Sequence, residues 1–221
     1  MFDNISGKYD FLNRFLSLGI DKLWRRKLIK LVRAHKPKNV LDIATGTADL
    51  AILASNYVDT VTGVDISEGM LAVGREKINK KGIKTVTLAY GDSEDLPFAD
   101  ATFDAITVAF GVRNFENTEK GLREMYRVLK PGGGVFILEF SRPRKFPVKQ
   151  AYFFYFNNVL PRWGKLVSKD TAAYTYLPES VKAFPDGEVF TALLKKCGFN
   201  ETNFKFLSNG IVAIYTGIKE A

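Results

Sequence analysis

Between residues 40 and 140 the sequence alternates short β-rich runs with helical ones, and this alternation restricts the fold more than any other feature. Residues 40–43, 61–64, 85–89, 105–109 and 134–140 are rich in β-branched and apolar residues and read as strands. Residues 48–56, 68–81 and 118–129 carry helical patterning between them, the last stopped by Pro131, Gly132 and Gly133. Strands that alternate with helices specify a parallel, doubly wound sheet. Further on, residues 187–197 read as a helix closed by Gly198. Two strands follow, 203–207 and 211–216, around Ser208, Asn209 and Gly210. Asn-Gly between strands is a strong hairpin signal. The predicted fold is therefore α/β: a Rossmann-like doubly wound sheet, mostly parallel, with a C-terminal antiparallel hairpin and helical lid elements.

The flanks complete a single domain. Ile5, Tyr9, Leu12, Phe15 and Leu16, then Ile20, Leu23, Trp24, Leu28, Leu31 and Val32, fall at helical spacing. Residues 1–36 are thus expected as a helical cap and 37–140 as the cofactor-binding half. Residues 141–184 fit neither rhythm and read as an inserted helical lid, with 185–221 as terminal helix and hairpin. A chain of 221 residues buries a sizeable core without staples. The 46% hydrophobic and 25% charged content excludes a disordered or low-complexity chain. One cysteine, Cys197, rules out a disulfide framework; with one histidine, His35, it also leaves too few ligands for an ordinary zinc site, and no metal is expected. No apolar run approaches the roughly 18 residues a bilayer span needs, and no secretion signal opens the chain, so a cytoplasmic protein is expected.

Charge is divided unevenly. Residues 1–39 carry ten bases against three acids, 40–140 carry ten against fifteen, 141–184 carry eight against two, and 185–221 are balanced. Basic flanks around an acidic middle suit either solvated helix faces or contact with an anionic surface.

The first strand-to-helix turn contains Leu41-Asp42-Ile43-Ala44-Thr45-Gly46-Thr47-Ala48-Asp49. Ligands of open α/β sheets bind at such carboxyl ends. A dinucleotide fingerprint needs three glycines, and here only Gly46 occupies one of those positions. Asp42 would repel a pyrophosphate and favour a cationic ligand. S-adenosyl-L-methionine, with a sulfonium and an ammonium group, fits that sign; NAD does not. Asp65, followed by Ile66 at the end of the second strand, is placed to accept from two ribose hydroxyls. Asp92 and Ser93 after the third strand are placed for the adenine. Each alone is as readily a helix cap; in register they point to S-adenosylmethionine.

Longer motifs carry a family resemblance. Arg127-Val128-Leu129-Lys130-Pro131-Gly132-Gly133 with Glu139 and Ser141, and Phe110-Gly111-Val112-Arg113-Asn114, resemble the signatures of the class I C-methyltransferases of menaquinone and ubiquinone biosynthesis. Tyr9-Asp10-Phe11-Leu12-Asn13, Ser17 and Trp24 match a further signature, with Leu12 in place of Met and Asp21 in place of His. Ala44 and Ala48 stand where relatives often carry Cys or Gly, and Gly. The resemblance runs from residue 2 to about 218. It implies contacts to S-adenosylmethionine from Thr47, Asp65, Asp92 and Ser93. Ala109 stands where some relatives carry Ser, so only its backbone could serve.

The reaction so implied is methylation of a polyprenyl quinol ring, foremost demethylmenaquinol. Other readings are a benzoquinol or another small apolar acceptor, or a non-catalytic cofactor-binding subunit. An amine acceptor lacks its usual N/D-P-P-Y/F motif, so nucleic acid is not an expected substrate. A phenol with pKa near 10 activates its ring carbon on ionising, and a nearby cation favours that ionisation. Arg113 is the candidate cation, Asn114 could orient the ring oxygen, Tyr9 could bind the second oxygen, and Asp49 could take a proton or merely serve the helix dipole. Glu139 and Ser141 could serve the site or cap the turn. His35, beside Lys36 and Pro37, reads as a surface turn. Residues 151–156 with Val159, Leu160 and Trp163 are either lid core or a face for the polyprenyl tail. Lys145, Lys149, Arg162, Lys165 and Lys169 stand near anionic headgroups in the second case. Residues 172–180 could add pocket wall. Transient association with an anionic membrane, at its inner face, and a homodimer are compatible partners.

Overall fold

The computed structural model describes residues 19–155, 158 and 172–221, with only the backbone described for 172–177. Tyr9 with Asp10–Asn13 and Ser17 of its signature, and all of the basic and aromatic residues between 156 and 171, lie outside the described residues.

Seven strands form one sheet in the order β3-β2-β1-β4-β5-β7-β6. The strands are β1 (Asn39–Ile43), β2 (Thr60–Asp65), β3 (Val86–Tyr90), β4 (Phe103–Ala109), β5 (Leu129–Phe140), β6 (Asn200–Leu207) and β7 (Val212–Ile218). The first five run parallel, whereas β7 is antiparallel to both β5 and β6. Strand order reverses between β1 and β4, which opens a crevice at their carboxyl ends. Helices α1 (Asp21–His35), α2 (Asp49–Ala54) and α3 (Glu68–Lys80) cover one face. Helices α4 (Thr118–Val128) and α7 (Glu188–Lys196) cover the other, while α5 (Val148–Phe154) and α6 (Ala172–Ala183) follow β5.

The two-residue period of β1 explains the layering. Val40 joins the core under α1, whereas Leu41 and Ile43 join the core under α4 and α7. Asp42 shares the Val40 side, so its carboxyl is buried beneath α1.

Local details differ from the sequence reading for identifiable reasons. On α1 the buried stripe is Trp24, Leu28, Ile29 and Val32, while Ile20, Leu23 and Leu31 are exposed. Apolar spacing alone could not choose between these two faces of the helix. His35 is not in a surface turn: it occupies the last turn of α1, half-buried, with its ring edge-on to Phe136 at 5.7 Å. Helix α4 stops at Val128, before the Pro-Gly-Gly segment, because Leu129 is already extended and pairs with Phe103. Lys130–Gly133 then bulge out before pairing resumes at Gly134, and Gly132 donates to the Lys219 carbonyl. Between β6 and β7, Ser208, Asn209 and Gly210 all take positive φ, the backbone that an Asn-Gly turn provides at least cost.

Candidate active site

A cleft opens at the carboxyl ends of β1, β2, β3 and β4, where the strand order reverses. Ala44 and Gly46 enter its wall from the β1 loop, Asp65 and Ile66 from β2, and Asp92, Ser93 and Glu94 from the loop after β3. The loop after β4 supplies Phe110, Gly111, Asn114, Phe115 and Glu116. The described wall thus contains four carboxylates, Asp65, Asp92, Glu94 and Glu116, and no lysine or arginine. A cationic ligand is favoured there and a pyrophosphate is repelled.

The Asp65 carboxylate ties two loops together. One oxygen accepts from the Gly46 N–H at 2.8 Å and the other from the Ser67 N–H at 2.9 Å. Gly46 has φ of 55°, a left-handed backbone that glycine adopts without a Cβ clash. Across the cleft, a Cβ on Gly111 would stand 2.5 Å from the Ala44 Cβ, so the β1 and β4 loops touch almost backbone to backbone. Asp92 accepts from the Glu94 N–H at 2.9 Å, which fixes the loop after β3. Ile66 is 59% exposed beside Asp65, an apolar surface where a planar base could pack.

Asp42 lies behind this wall and not in it. Its two oxygens accept from the Thr45 and Thr107 hydroxyls, both at 2.6 Å. Burial pushes its carboxyl up to about 6, against the opposing pull of those hydroxyls and of the nearby Arg25 guanidinium. Asp42 therefore fixes Thr45 and the β1 loop from beneath. Thr47 is also buried, and its hydroxyl accepts from Lys77 at 2.8 Å. The same ammonium pairs with Asp49 at 2.8 Å. Lys77 of α3 draws Thr47 and Asp49 together, and neither is part of the described cleft wall. Ala109, half-buried, closes β4 against the core beneath α1.

Arg113 and Asn114 separate although they are neighbours in sequence. Asn114 is in the cleft wall. Arg113 turns inward: its Nη1 donates to Glu139 Oε1 at 2.8 Å and also to the Phe110 carbonyl, and the side chain is only 8% exposed. Its backbone N–H donates to the other Glu139 oxygen at 3.3 Å. The expected bare cation beside a substrate oxygen is thus a buried ion pair, because the fully buried Glu139 carboxylate needs a partner. The pair grips a turn that starts at Phe110, whose φ is 62°. The Phe110 ring packs on Phe140 at 4.6 Å and on Trp24 at 6.1 Å, with the Arg25 guanidinium 5.5 Å from its centroid.

Ser141 also has an assignable task. Its hydroxyl donates to Asp186 Oδ2 at 3.0 Å; the Arg142 N–H donates to the same oxygen, and the Arg142 and Arg144 guanidinium groups reach Oδ1. Asp186, Lys77, Arg25 and the acidic residues Glu94 and Glu116 escaped the sequence reading, since none sits in a recognisable motif. For Asp186 the only signal was an acid immediately before the glycine that opens α7. The described part of residues 172–180 supplies no cleft wall. Among the described residues no group of three or more His, Cys, Asp or Glu side chains could hold a metal. None of their helices is long and apolar enough to cross a membrane.

An acidic cleft with a carboxylate fixed at the end of β2, and two loops in close backbone contact, fits the charge and shape of S-adenosylmethionine. Comparison with known proteins agrees. A SAM-dependent methyltransferase structure from Thermotoga maritima superposes with a TM-score of 0.70 at 21% identity, covering 99% of this chain and 98% of that one. The demethylmenaquinone methyltransferase of Bacteroides fragilis is 51% identical over 222 residues, 99% of this chain and 91% of the relative. The ubiquinone/menaquinone biosynthesis C-methyltransferase UbiE of Geobacter sulfurreducens is 47% identical, over 99% of this chain and 87% of the relative. The profile of the ubiE/COQ5 methyltransferase family matches residues 1–219. With its fold, its acidic cleft and its motifs in agreement, the chain belongs to the ubiE/COQ5 methyltransferase family.

Proposed function

We propose that this protein methylates a ring carbon of a polyprenyl quinol, foremost demethylmenaquinol, with S-adenosylmethionine as methyl donor. The observation that carries the reading is the described cleft wall at the strand-order reversal, whose charged side chains are all carboxylates, in a chain 51% identical to a demethylmenaquinone methyltransferase. When bound, S-adenosylmethionine supplies an electrophilic methyl group. Asp65 would hold the ribose and Asp92 with Ser93 the adenine; Gly46 lets the loop approach closely, and Ile66 offers the base an apolar face.

Asn114 is the wall residue suited to orient a ring oxygen, with one amide donor group and one acceptor. The Arg113–Glu139 pair is net neutral, so its contribution is positional: it holds the turn that presents Phe110 and Asn114. The ring carbon becomes nucleophilic once its neighbouring phenol ionises; it would form the new C–C bond as the donor's methyl–sulfur bond breaks, with the electron pair left on a neutral sulfur, and would then lose its ring proton to water. In-line displacement asks mainly for alignment near 3 Å, which rigid loops provide. Tyr9 remains the proposed partner of the second oxygen. Asp49, already paired with Lys77, serves the loop in this reading.

The test is transfer of labelled methyl to demethylmenaquinol kept reduced, beside the same quinone kept oxidised. Label on the reduced ring only is expected. Equal labelling of both, or of neither while the cofactor binds, would overturn the quinol reading.

A further inference from the structure

Residues 142–149, Arg-Pro-Arg-Lys-Phe-Pro-Val-Lys, carry four cations and no acid. The segment leaves β5 and enters α5 on a firm footing. The Asp186 carboxylate, 2% exposed, accepts from Ser141 and from both Arg142 and Arg144, so the chain here is clamped to the body of the protein. Arg144 also lies over the Phe206 ring at 5.6 Å. Between this segment and the β6–β7 turn is a cavity of about 400 Å³ bordered by Arg142, Arg144, Lys145, Phe146 and Phe206.

What emerges from that clamped base is apolar. Phe146, just before α5, is 81% exposed; on α5 itself Phe154 is 63% and Phe153 40% exposed, whereas Tyr152 is buried. Phe146 stands in the turn just ahead of α5, while Lys149 and Phe153, four residues apart within α5, share one side of that helix. Water penalises three exposed phenylalanines, and a folded protein normally buries them. Cations interleaved with outward aromatic rings suit one environment in particular. Lipid phosphates attract the former, while the acyl boundary accepts the latter.

We propose that the Arg142–Phe154 segment is the docking surface of this protein for a bilayer rich in anionic phospholipid. The proposal rests on the quinol reading for its purpose, since a polyprenyl acceptor resides in such a bilayer, but its physical basis is independent of it. Lys145 and Lys149 supply attraction, Phe146 and Phe153 enter the interface, and Asp186 fixes the orientation of both. Helix α5 is anchored behind this face by Tyr152, which is buried.

The test is flotation of the full chain with vesicles of about 30% phosphatidylglycerol in phosphatidylcholine, beside vesicles of phosphatidylcholine alone, at low salt. Binding to the anionic vesicles at least about 10-fold tighter is expected. Each lysine removed should weaken it about 5-fold, so the Lys145→Glu/Lys149→Glu variant should lose about 25-fold or more. Phe146→Ser, at a fully outward position, should weaken binding without changing the salt dependence. Both variants should keep wild-type melting and wild-type transfer to a quinol lacking its tail. Equal binding to both vesicle types, or indifference to both variants, would overturn the proposal. So would displacement by heparin with no effect of Phe146→Ser, which would mark a site for soluble polyanions. Docking without methyl transfer would count against the quinol reading alone.

Discussion

The cleft and the Arg142–Phe154 face are built from opposite materials. The described cleft wall has four carboxylates and no cation, and its shape is set by backbone N–H groups bonded to Asp65 and Asp92. The other face has four cations, of which Arg142 and Arg144 are held from behind by one buried carboxylate, and it projects aromatic rings outward. In each case the charge displayed is opposite to that of the partner it would meet, a sulfonium ligand or an anionic lipid. The buried counter-charge differs too. Behind the cleft, Asp42 adds to the negative potential; behind the basic face, Asp186 subtracts from the positive one. The first arrangement concentrates field in a narrow site, and the second moderates it over a broad one. The −5 of residues 40–140 and the +6 of residues 141–184 are the sequence trace of this division.

The two faces should differ most in their response to substitution at Asp65. Asp65→Ala removes a charged acceptor for the ribose and the bond to Gly46, so cofactor affinity should fall about 1,000-fold, some 4 kcal/mol, in calorimetry. Binding to anionic vesicles should be unchanged. Next is Glu139→Gln, which leaves Arg113 buried without a matching charge. About 3 kcal/mol of unfolding free energy should be lost in urea, and removing Arg113 as well, as Arg113→Met, should restore part of it. If both singles were mild, the pair would not be the pin that holds the Phe110 turn.

A smaller effect comes from Asp42. Its carboxyl is raised in the folded protein to about 6 by burial. The folded state therefore binds this proton more tightly than the unfolded chain does. The resulting stabilisation is complete below about pH 4 and is lost as the pH rises through about 6. The wild type should lose roughly 2 to 3 kcal/mol over that interval relative to Asp42→Asn, read as the difference between their pH–stability curves. Parallel curves would mean that Thr45, Thr107 and Arg25 compensate the burial fully. The smallest effect is expected for Ala48→Gly. Ala48 has φ of 65° and is fully buried. Relief of left-handed strain, about 1 kcal/mol, and loss of a buried methyl, about 0.8 kcal/mol, nearly offset, so the melting temperature should barely move.

The parallel sheet was legible because each strand declares itself locally, through a short apolar run bounded by turn residues. The cleft was legible for a related reason. Gly46, Asp65, Ile66, Asp92 and Ser93 all lie at or just after the carboxyl end of a strand, and the strand order reversal gathers those ends. Asp42 and Thr47 follow the same local pattern, yet the two-residue period of β1 and the reach of Lys77 turn them elsewhere. What could not be read was pairing at a distance. Glu139 meets Arg113 across 26 residues and Asp186 meets Ser141 across 45, and no local rule foretells either. Arg113 illustrates the cost: a cation at the end of a strand looks available until its buried partner is known. The face of α1 that is buried was likewise decided by the sheet beneath it and not by the helix.

One measurement addresses the proposed chemistry most directly. Demethylmenaquinol would be methylated with carbon-labelled S-adenosylmethionine, and the product's methyl group located by carbon NMR. The account predicts a methyl bonded to a ring carbon beside the ionised oxygen, with loss of the ring proton. A methoxy signal would contradict it, since the cleft would then be selecting the oxygen as nucleophile.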